Sequence, residues 1–215
     1  MKHITKVDIT EINDFNSIAK RLESISAEPI SCINWKDLHP SAPEVSFKMA
    51  HDGANLFLQY FVKEDEILAK TVEDNGPVWT DSCVEFFISF GNSPQYYNLE
   101  LSCIGTALLG YRENKENAIH APASVMASIK RCSTLGDKPF DSKKGEFKWS
   151  LIVVVPASAF WQSDISSFDE ISARTNAYKC GDNLSVPHFL SWMPIGTPAP
   201  DFHVPQFFTD LTFNK

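Results

Sequence analysis

A tryptophan and several carboxylates lie at the start of apolar segments or within them. The segment "VWTDSCVEFFISF" places Trp79, Asp81 and Glu85 together, and "YYNLELSC" carries Asn98 and Glu100 between apolar residues. Carboxylates accept hydrogen bonds or carry protons, an amide both donates and accepts, and an indole offers a flat apolar surface. Burying polar groups costs free energy unless they are hydrogen-bonded, so these positions require partners or a ligand.

Two paired strands would bring these groups together. In a strand that begins at Ser82, Cys83, Glu85 and Phe87 share one face, while Val84, Phe86 and Ile88 share the other. In the next strand Asn98 and Glu100 also share a face. If the two strands pair, Glu85, Asn98 and Glu100 converge in one polar patch on an otherwise apolar sheet.

Strand-like segments recur along most of the 215 residues, separated by Gly and Pro turns. The segments "EVSFKMAH" and "LFLQYFV", joined by "DGAN", predict a β-hairpin. Only "EINDFNSIAKRLES" and "PASAFW" predict short helices, and "SVMASIK" predicts a short strand. The pattern predicts an all-β fold, an antiparallel β-sandwich of two sheets with about ten strands, in a single domain over residues 1–215.

The charge balance argues against two classes of partner. The formal net charge of -8 comes from 27 acidic and 19 basic residues, and the basic residues do not cluster beyond Lys130 and Arg131. Such a surface predicts no nucleic-acid and no membrane partner. The N-terminus lacks the apolar core of a signal peptide, and no run of about 18 apolar residues is present. We therefore expect a soluble chain, cytoplasmic by default and exported if a leader was removed.

The five cysteines are odd in number and lack the close sequence pairs of a zinc site: Cys32, Cys83, Cys103, Cys132 and Cys180. We expect most of them to be reduced and packed as small apolar residues.

Sugar binding and an internal network are both compatible with the polar patch. A pyranose ring presents C–H faces that stack on indole and a rim of hydroxyls that need paired donors and acceptors. Alternatively, the patch forms a structural network with Arg174 and Asn176 of "SARTNAYKC".

A resemblance favours the sugar. The blocks "VWTDSCVEFFI", "YYNLELSCIGT", "ARTNAYKCGD", "HFLSW" and "PDFHVPQFF" resemble, in this order, the family 9 carbohydrate-binding modules, more closely a family 9-like subgroup. The resemblance covers roughly residues 31–213. It implies an immunoglobulin-like β-sandwich, related in fold to the DOMON group of sugar- and haem-binding domains.

The same resemblance implies a non-catalytic site for a mono- or oligosaccharide, in which two tryptophans hold a terminal sugar of the glucose, cellobiose or xylan class. It assigns Trp79 and Trp192 to the two rings, and polar side chains to the hydroxyls. The expected sugar-binding residues are Trp79, Glu85, Asn98, Glu100, Arg174, Asn176 and Trp192.

Other functions remain open at this stage. One is a structural or protein-interaction sandwich that has lost the sugar. Another is haem binding through Met49, His51, His188 or His203, although none of these makes a close pair. The resemblance also implies a structural calcium ion, for which "HDGAN", "KEDE" and "CGDN" offer oxygen ligands without an EF-hand spacing.

Catalysis is the remaining alternative. Asp81 and Glu85 lie about 13 Å apart along a strand, too far for a glycosidase pair, which needs roughly 5 to 10 Å. Glu85 and Glu100, on neighbouring strands, suit that distance better. The sequence does not indicate an oligomeric state.

Overall fold

The computed structural model describes residues 2–215 and consists mainly of two β-sheets. The first sheet contains, in spatial order, β8 (Ile119–His120), β7 (Ala107–Arg112), β6 (Tyr96–Ser102), β5 (Cys83–Phe90), β11 (Ser172–Cys180) and β13 (Thr209–Phe213), with β12 (Phe189–Ser191) also paired to β11. The second sheet contains β3 (Glu44–His51), β4 (Asn55–Ala69), β10 (Phe140–Pro156) and β9 (Lys130–Ser133), with the short β2 (Glu28–Pro29) on β3.

Strand β1 (Lys2–Lys6) joins the two sheets. Its first residues pair with β13 and its last two with β3, in both cases parallel. The other strand pairs of residues 2–215 are antiparallel, including the predicted β3–β4 hairpin, the predicted β5–β6 pair and the β6–β7 pair beside it. The prediction of a two-sheet β-sandwich is confirmed, with β1 as the exception to its antiparallel pattern.

Helix α1 (Phe15–Leu22) forms where a helix was predicted. The Asp14 side chain accepts hydrogen bonds from the backbone amides of Asn16 and Ser17, which caps the helix N-terminus. Ile18 and Leu22 pack on the outer face of the second sheet.

The predicted strand at "SVMASIK" is wrong. Residues Ala123–Ser128 form a short helix, α2, because the carbonyl of Pro122, its N-cap, accepts hydrogen bonds from the amides of Val125 and Met126 and so closes the first turn. The strand β9 begins only at Lys130. The segment "PASAFW" forms a single 3₁₀ turn at Ala157–Ala159.

Strand β5 is buried on both faces, which explains its continuous apolar sequence. Val84, Phe86 and Ile88 enter the main core between the sheets. Cys83 and Phe87 point the other way into a second apolar group, here called the outer cluster. The outer cluster contains Trp35, Val78, Cys83, Phe87, Tyr96, Leu108, Tyr178, Cys180, Ile195, Phe202 and Val204.

The segment 192–208 covers the outer cluster and is held by hydrogen bonds to Asn34 and Trp35. Asn34 accepts a hydrogen bond from the Ile195 amide at 2.9 Å, and the Trp35 indole donates to the Thr197 carbonyl at 2.8 Å. This covering segment and the first sheet enclose the candidate site.

Candidate functional site

A cavity of about 310 Å³ opens beside the outer cluster. Trp79, Phe189, Pro200 and Phe202 form its apolar walls. The Trp79 side chain is 39 % exposed, and in residues 2–215 it is the one large aromatic side chain exposed to this degree. An indole exposed at a cavity can stack on a ligand without first unpacking from the core.

The polar wall of the cavity is formed by neighbouring strands of the first sheet. Glu85 on β5 stands directly opposite Glu100 on β6, and both line the cavity. Behind them, the Asn98 amide donates to Glu100 Oε1 at 2.8 Å and accepts from Arg112 Nε at 2.8 Å. The predicted convergence of Glu85, Asn98 and Glu100 is therefore present in the structure, with Asn98 behind the cavity wall as a support for two lining residues.

Arg112 was missed by the sequence reasoning. It ends β7 and supplies a guanidinium to the Asn98 side chain. Gly110 was the available signal, because a glycine inside a strand often marks a close approach. A Cβ at Gly110 would collide with the Asn98 amide and lie 3.2 Å from an Arg112 nitrogen.

The two carboxyl groups hold their protons more tightly than free side chains do. Burial, followed by the neighbouring Cys180 and Glu100, raises the pKa of Glu85 well above its ordinary 4.5. Burial raises the pKa of Glu100 to about 7, against the opposing effects of Asn98 and Arg112. Glu100 Oε2 is buried without a hydrogen-bond partner. The pair can thus offer both a hydroxyl donor and carboxylate acceptors near neutral pH.

Further charged and polar side chains line the same cavity: Lys115, Asp182, Asp201 and His203. Burial lowers the pKa of His203 to about 3, so the ring is neutral, and its Nδ1 lies 3.1 Å from the Tyr96 hydroxyl. Lys115 Nζ lies 3.9 Å from Asp201 Oδ1. None of these four was among the expected sugar-binding residues, because loop residues carry no strand alternation from which their direction could be read.

Local bonds hold Trp79 at the cavity. It lies in a 3₁₀ turn, Val78–Thr80, whose first residue is buried in the outer cluster. Directly after the turn, the buried Asp81 carboxylate accepts bonds from the backbone amides of Lys70 and Thr71 at 3.0 and 2.9 Å. Asp81 is thus a structural residue that closes the loop preceding β5.

Trp192 does not face Trp79 across a cleft, which corrects the expectation of two opposed tryptophans. It is 4 % exposed, its ring packs edge-on against Phe47 at 5.3 Å, and its indole donates to Glu28 at 3.2 Å. The physical reason is the chain direction after β12. The Trp192 backbone amide donates a hydrogen bond to the Ala177 carbonyl, and with the backbone held in this way the side chain points into the main core.

Arg174 and Asn176 also lie outside the cavity lining. Arg174 is four residues along β11 from Tyr178, the partner of Glu85, a separation of about 13 Å. Its guanidinium donates to the Ser93 carbonyl at 3.0 Å. The Asn176 side-chain amide donates a hydrogen bond to the Met193 carbonyl at 3.2 Å and accepts one from the Met193 backbone amide at 2.9 Å. Both are therefore engaged in structural contacts.

The haem and calcium candidates do not converge. His51 is buried against Phe168 and Phe213, His188 contacts Lys179, and His203 contacts Tyr96. The Asp52 carboxylate caps its own turn through the Ala54 and Asn55 amides. In residues 2–215, the one group of three or more His, Cys, Asp or Glu side chains with ligand atoms within 4.8 Å of one another is Cys83, Glu85 and Cys180. The three predicted calcium loops thus provide no carboxylate cluster for that ion.

The sequence matches the family model described as "Carbohydrate-binding family 9" over residues 14–213. The chain belongs to carbohydrate-binding family 9. Among curated proteins, none matches the sequence.

Solved structures agree with this family 9 assignment. The chain is similar to a protein from Bacteroides uniformis ATCC 8492 that is provisionally described as carbohydrate-binding, with 42 % identity, a TM-score of 0.95, and coverage of 99 % of this chain and 98 % of that one. It also shares its fold with a family 9 module from Caldicellulosiruptor kristjanssonii. The glucose complex of that module gives a TM-score of 0.57 at 8 % identity, over 99 % of this chain and 94 % of that one. The cellotriose complex gives 0.56 at 9 % identity, over 99 % and 93 %.

A helix that crosses a membrane must be long and apolar. Within residues 2–215, none of the helices has the length and apolar character needed to cross a bilayer.

Proposed function

We propose that this family 9 chain binds a carbohydrate without transforming it, and that a terminal sugar of the glucose, cellobiose or xylan class occupies the cavity beside Trp79. One observation carries the proposal. The exposed Trp79 indole borders a cavity whose wall holds the buried polar side chains Glu85, Glu100 and Arg112.

The chemistry of the cavity suits a sugar ring. Its volume of about 310 Å³ lies at the lower end of small-molecule pockets, roughly 300 to 1,000 Å³. The C–H face of a pyranose would stack on Trp79, while Glu85, Glu100 and Arg112 exchange hydrogen bonds with its hydroxyls. The glucose and cellotriose complexes of the Caldicellulosiruptor module support this ligand class.

The arrangement of the carboxyl groups favours binding over hydrolysis. Glu85 and Glu100 are direct cross-strand partners on one wall of the cavity. In glycoside hydrolysis the two carboxyl groups flank the scissile bond, one as acid and the other as base or nucleophile. Two carboxyl groups side by side on one wall approach a ligand from the same side, which favours hydrogen bonds to neighbouring hydroxyls over a position on either side of a bond.

Isothermal titration calorimetry with glucose, cellobiose, xylose and xylo-oligosaccharides tests the proposal. We expect at least one of these sugars to bind, and Trp79→Ala to weaken that binding roughly 30-fold or more, since removing an aromatic anchor costs on the order of 2 kcal/mol. Trp161→Ala makes the same change at a partly buried tryptophan outside the cavity lining and serves as the matched control. Absence of binding to every sugar, or unchanged affinity in Trp79→Ala, would contradict the proposal.

A further inference from the structure

A pair of cysteines distant in sequence meets at the cavity. Cys83 on β5 and Cys180 on β11 are direct partners in the antiparallel register. The Cys180 thiol lies 3.1 Å from Glu85 Oε1, and the two thiols and this carboxylate all have ligand atoms within 4.8 Å of one another. Sequence spacing gave no sign of this cluster, because strand pairing alone brings the residues together.

The cluster adjoins open space on one side. Glu85 and Cys180 line the cavity, while Cys83 lies fully buried behind them in the outer cluster. The three ligand atoms are therefore fixed by two paired strands, and two of the three residues line the cavity. A rigid set of ligands on strands is more precise than one on loops.

A second observation is a polar atom in the same wall that has no partner. Glu100 lines the same cavity, is 4 % exposed, and leaves its Oε2 buried without a hydrogen-bond partner. Asp182 also lines the cavity. Four carboxyl groups, from Glu85, Glu100, Asp182 and Asp201, thus line the cavity together with the Cys180 thiol, and Arg112 and Lys115 are the positive charges of that lining.

We propose that Cys83, Glu85 and Cys180 bind a thiophilic divalent cation of the Zn²⁺ class, with the fourth coordination position open to the cavity. Thiolates select such ions over Mg²⁺ or Ca²⁺, which prefer oxygen ligands. In a tetrahedral zinc site with ligands at about 2.0 to 2.3 Å, neighbouring ligand atoms stand roughly 3.5 to 3.8 Å apart. In the observed cluster the ligand atoms all lie within 4.8 Å of one another, and Cys180 Sγ lies 3.1 Å from Glu85 Oε1.

Binding is a proton-for-metal exchange. Each of the two thiols, and the Glu85 carboxyl where it is protonated, releases its proton to solvent as its lone pair bonds the ion. Two thiolates, one carboxylate and a divalent ion leave one negative charge beside Arg112. The open position would take water or a ligand oxygen. This site goes beyond the proposed sugar function, and metal ions alone test it.

Cobalt titration of the full chain is the experiment. The protein is reduced with a phosphine, stripped of metal with a chelator that is then removed, and titrated with CoCl₂ under argon. We expect one equivalent to produce thiolate-to-cobalt charge-transfer bands, and one equivalent of ZnCl₂ to abolish them. Cys180→Ser should weaken binding by at least about 100-fold, since even the loss of outer partners of a metal site costs 10- to 100-fold.

The controls separate the cluster from other thiols. Cys132→Ser changes an exposed cysteine outside the cluster and should retain the full signal. Circular dichroism checks that each variant is folded. X-ray absorption at the zinc edge is measured on the unmutated protein, so it reports sulfur ligands even where a variant does not fold. Absent charge-transfer bands, bands kept in folded Cys180→Ser, or a zinc site with only nitrogen and oxygen ligands would overturn the proposal.

Discussion

Glu85 and Glu100 are the residues whose chemistry depends most on their surroundings. They face each other across β5 and β6, and burial raises the pKa of both carboxyl groups. Asn98 and Arg112 supply hydrogen bonds and positive charge from behind. A hydroxyl-rich ligand could satisfy Glu100 Oε2, which has no partner in the structure.

The raised pKa of Glu100 predicts a pH-dependent stability. The unfolded chain loses this proton near pH 4.5, whereas the folded protein keeps it up to a pKa of about 7. Folding therefore binds a proton between these values, and its stabilising effect, at most roughly 3 kcal/mol, declines as the pH rises from about 4.5 to 7. Glu100→Gln should match the unmutated protein at pH 4.5 or below and exceed its free energy of unfolding at pH 7.5.

Urea denaturation at both pH values measures this difference. Glu146→Gln, a change at an exposed carboxylate, should show no comparable gain at pH 7.5. A Glu100→Gln variant that is equally destabilised at both pH values would show that the carboxylate form is the favoured one in the folded protein.

Residue alternation predicted part of this site. The period of two in β5 and β6 placed Glu85, Asn98 and Glu100 on one face, as the structure shows. It did not reveal Arg112, because the contact with Asn98 passes over Gly110 on a third strand. Long side chains that cross between strands reach positions that sequence spacing does not specify.

At the scale of elements, the loop between β4 and β5 presents Trp79. The Asp81 carboxylate pins the beginning of this loop through two backbone amides, and Val78 anchors its end in the outer cluster. The exposed ring is therefore held between two fixed points.

Removing the Asp81 carboxylate should loosen the loop and lower sugar affinity. Asp81→Ala leaves the Lys70 and Thr71 amides without their acceptor, at a cost of about 1 to 3 kcal/mol for each buried donor that water does not reach. We expect a lower free energy of unfolding in urea and a weaker calorimetric affinity. Asp137→Ala, an exposed site outside the loop, is the control. Unchanged sugar affinity in Asp81→Ala would show that this loop does not position the ligand.

Element-level predictions failed where local sequence was ambiguous. The segment at α2 has a strand-like composition, yet Pro122 starts a helical turn there. Trp192 was expected at a cleft because the family resemblance assigned it to the second ring, but the backbone bond to Ala177 turns the ring into the core. In both cases backbone hydrogen bonds that the residue pattern does not specify decided the outcome.

At the scale of the whole molecule, a buried charged group connects the two sheets. Lys179 from β11 places its Nζ 2.8 Å from Glu64 Oε2 on β4 and 2.8 Å from His188 Nε2. Glu64 Oε1 also accepts a bond from the Trp149 indole at 2.7 Å. Burial, with the nearby Lys179 charge, lowers the pKa of His188 to about 2, so the imidazole is neutral and can accept from the ammonium.

Breaking one side of this ion pair should cost more than replacing both sides. Lys179→Met leaves the Glu64 charge buried and unpaired, an effect of about 3 to 5 kcal/mol. The double variant Lys179→Met with Glu64→Gln removes the charge and keeps an acceptor for Trp149. We expect the double variant to be more stable than Lys179→Met alone in urea denaturation. A double variant as unstable as the single one, or less stable, would show that the loss does not arise from an unpaired charge.

The overall architecture was the part best predicted from sequence. Alternating strands and turn residues indicated the sandwich, and the family 9 match over residues 14–213 agrees with it. The Caldicellulosiruptor module shares the fold of this chain at 8 % sequence identity. The parallel strand β1 was not predicted, because pairing between the chain termini has no local sequence signal. A single domain over residues 1–215 stays a prediction.

The location of a bound sugar is the most direct test of the proposal that the cavity beside Trp79 binds carbohydrate. A crystal structure would be determined with the sugar that gives the tightest calorimetric affinity. We expect a sugar ring stacked on Trp79, with hydroxyls within hydrogen-bond distance of Glu85, Glu100 or Arg112. A sugar bound elsewhere, for example in the groove lined by Phe61 and Trp149, with the Trp79 cavity free of it, would contradict the account.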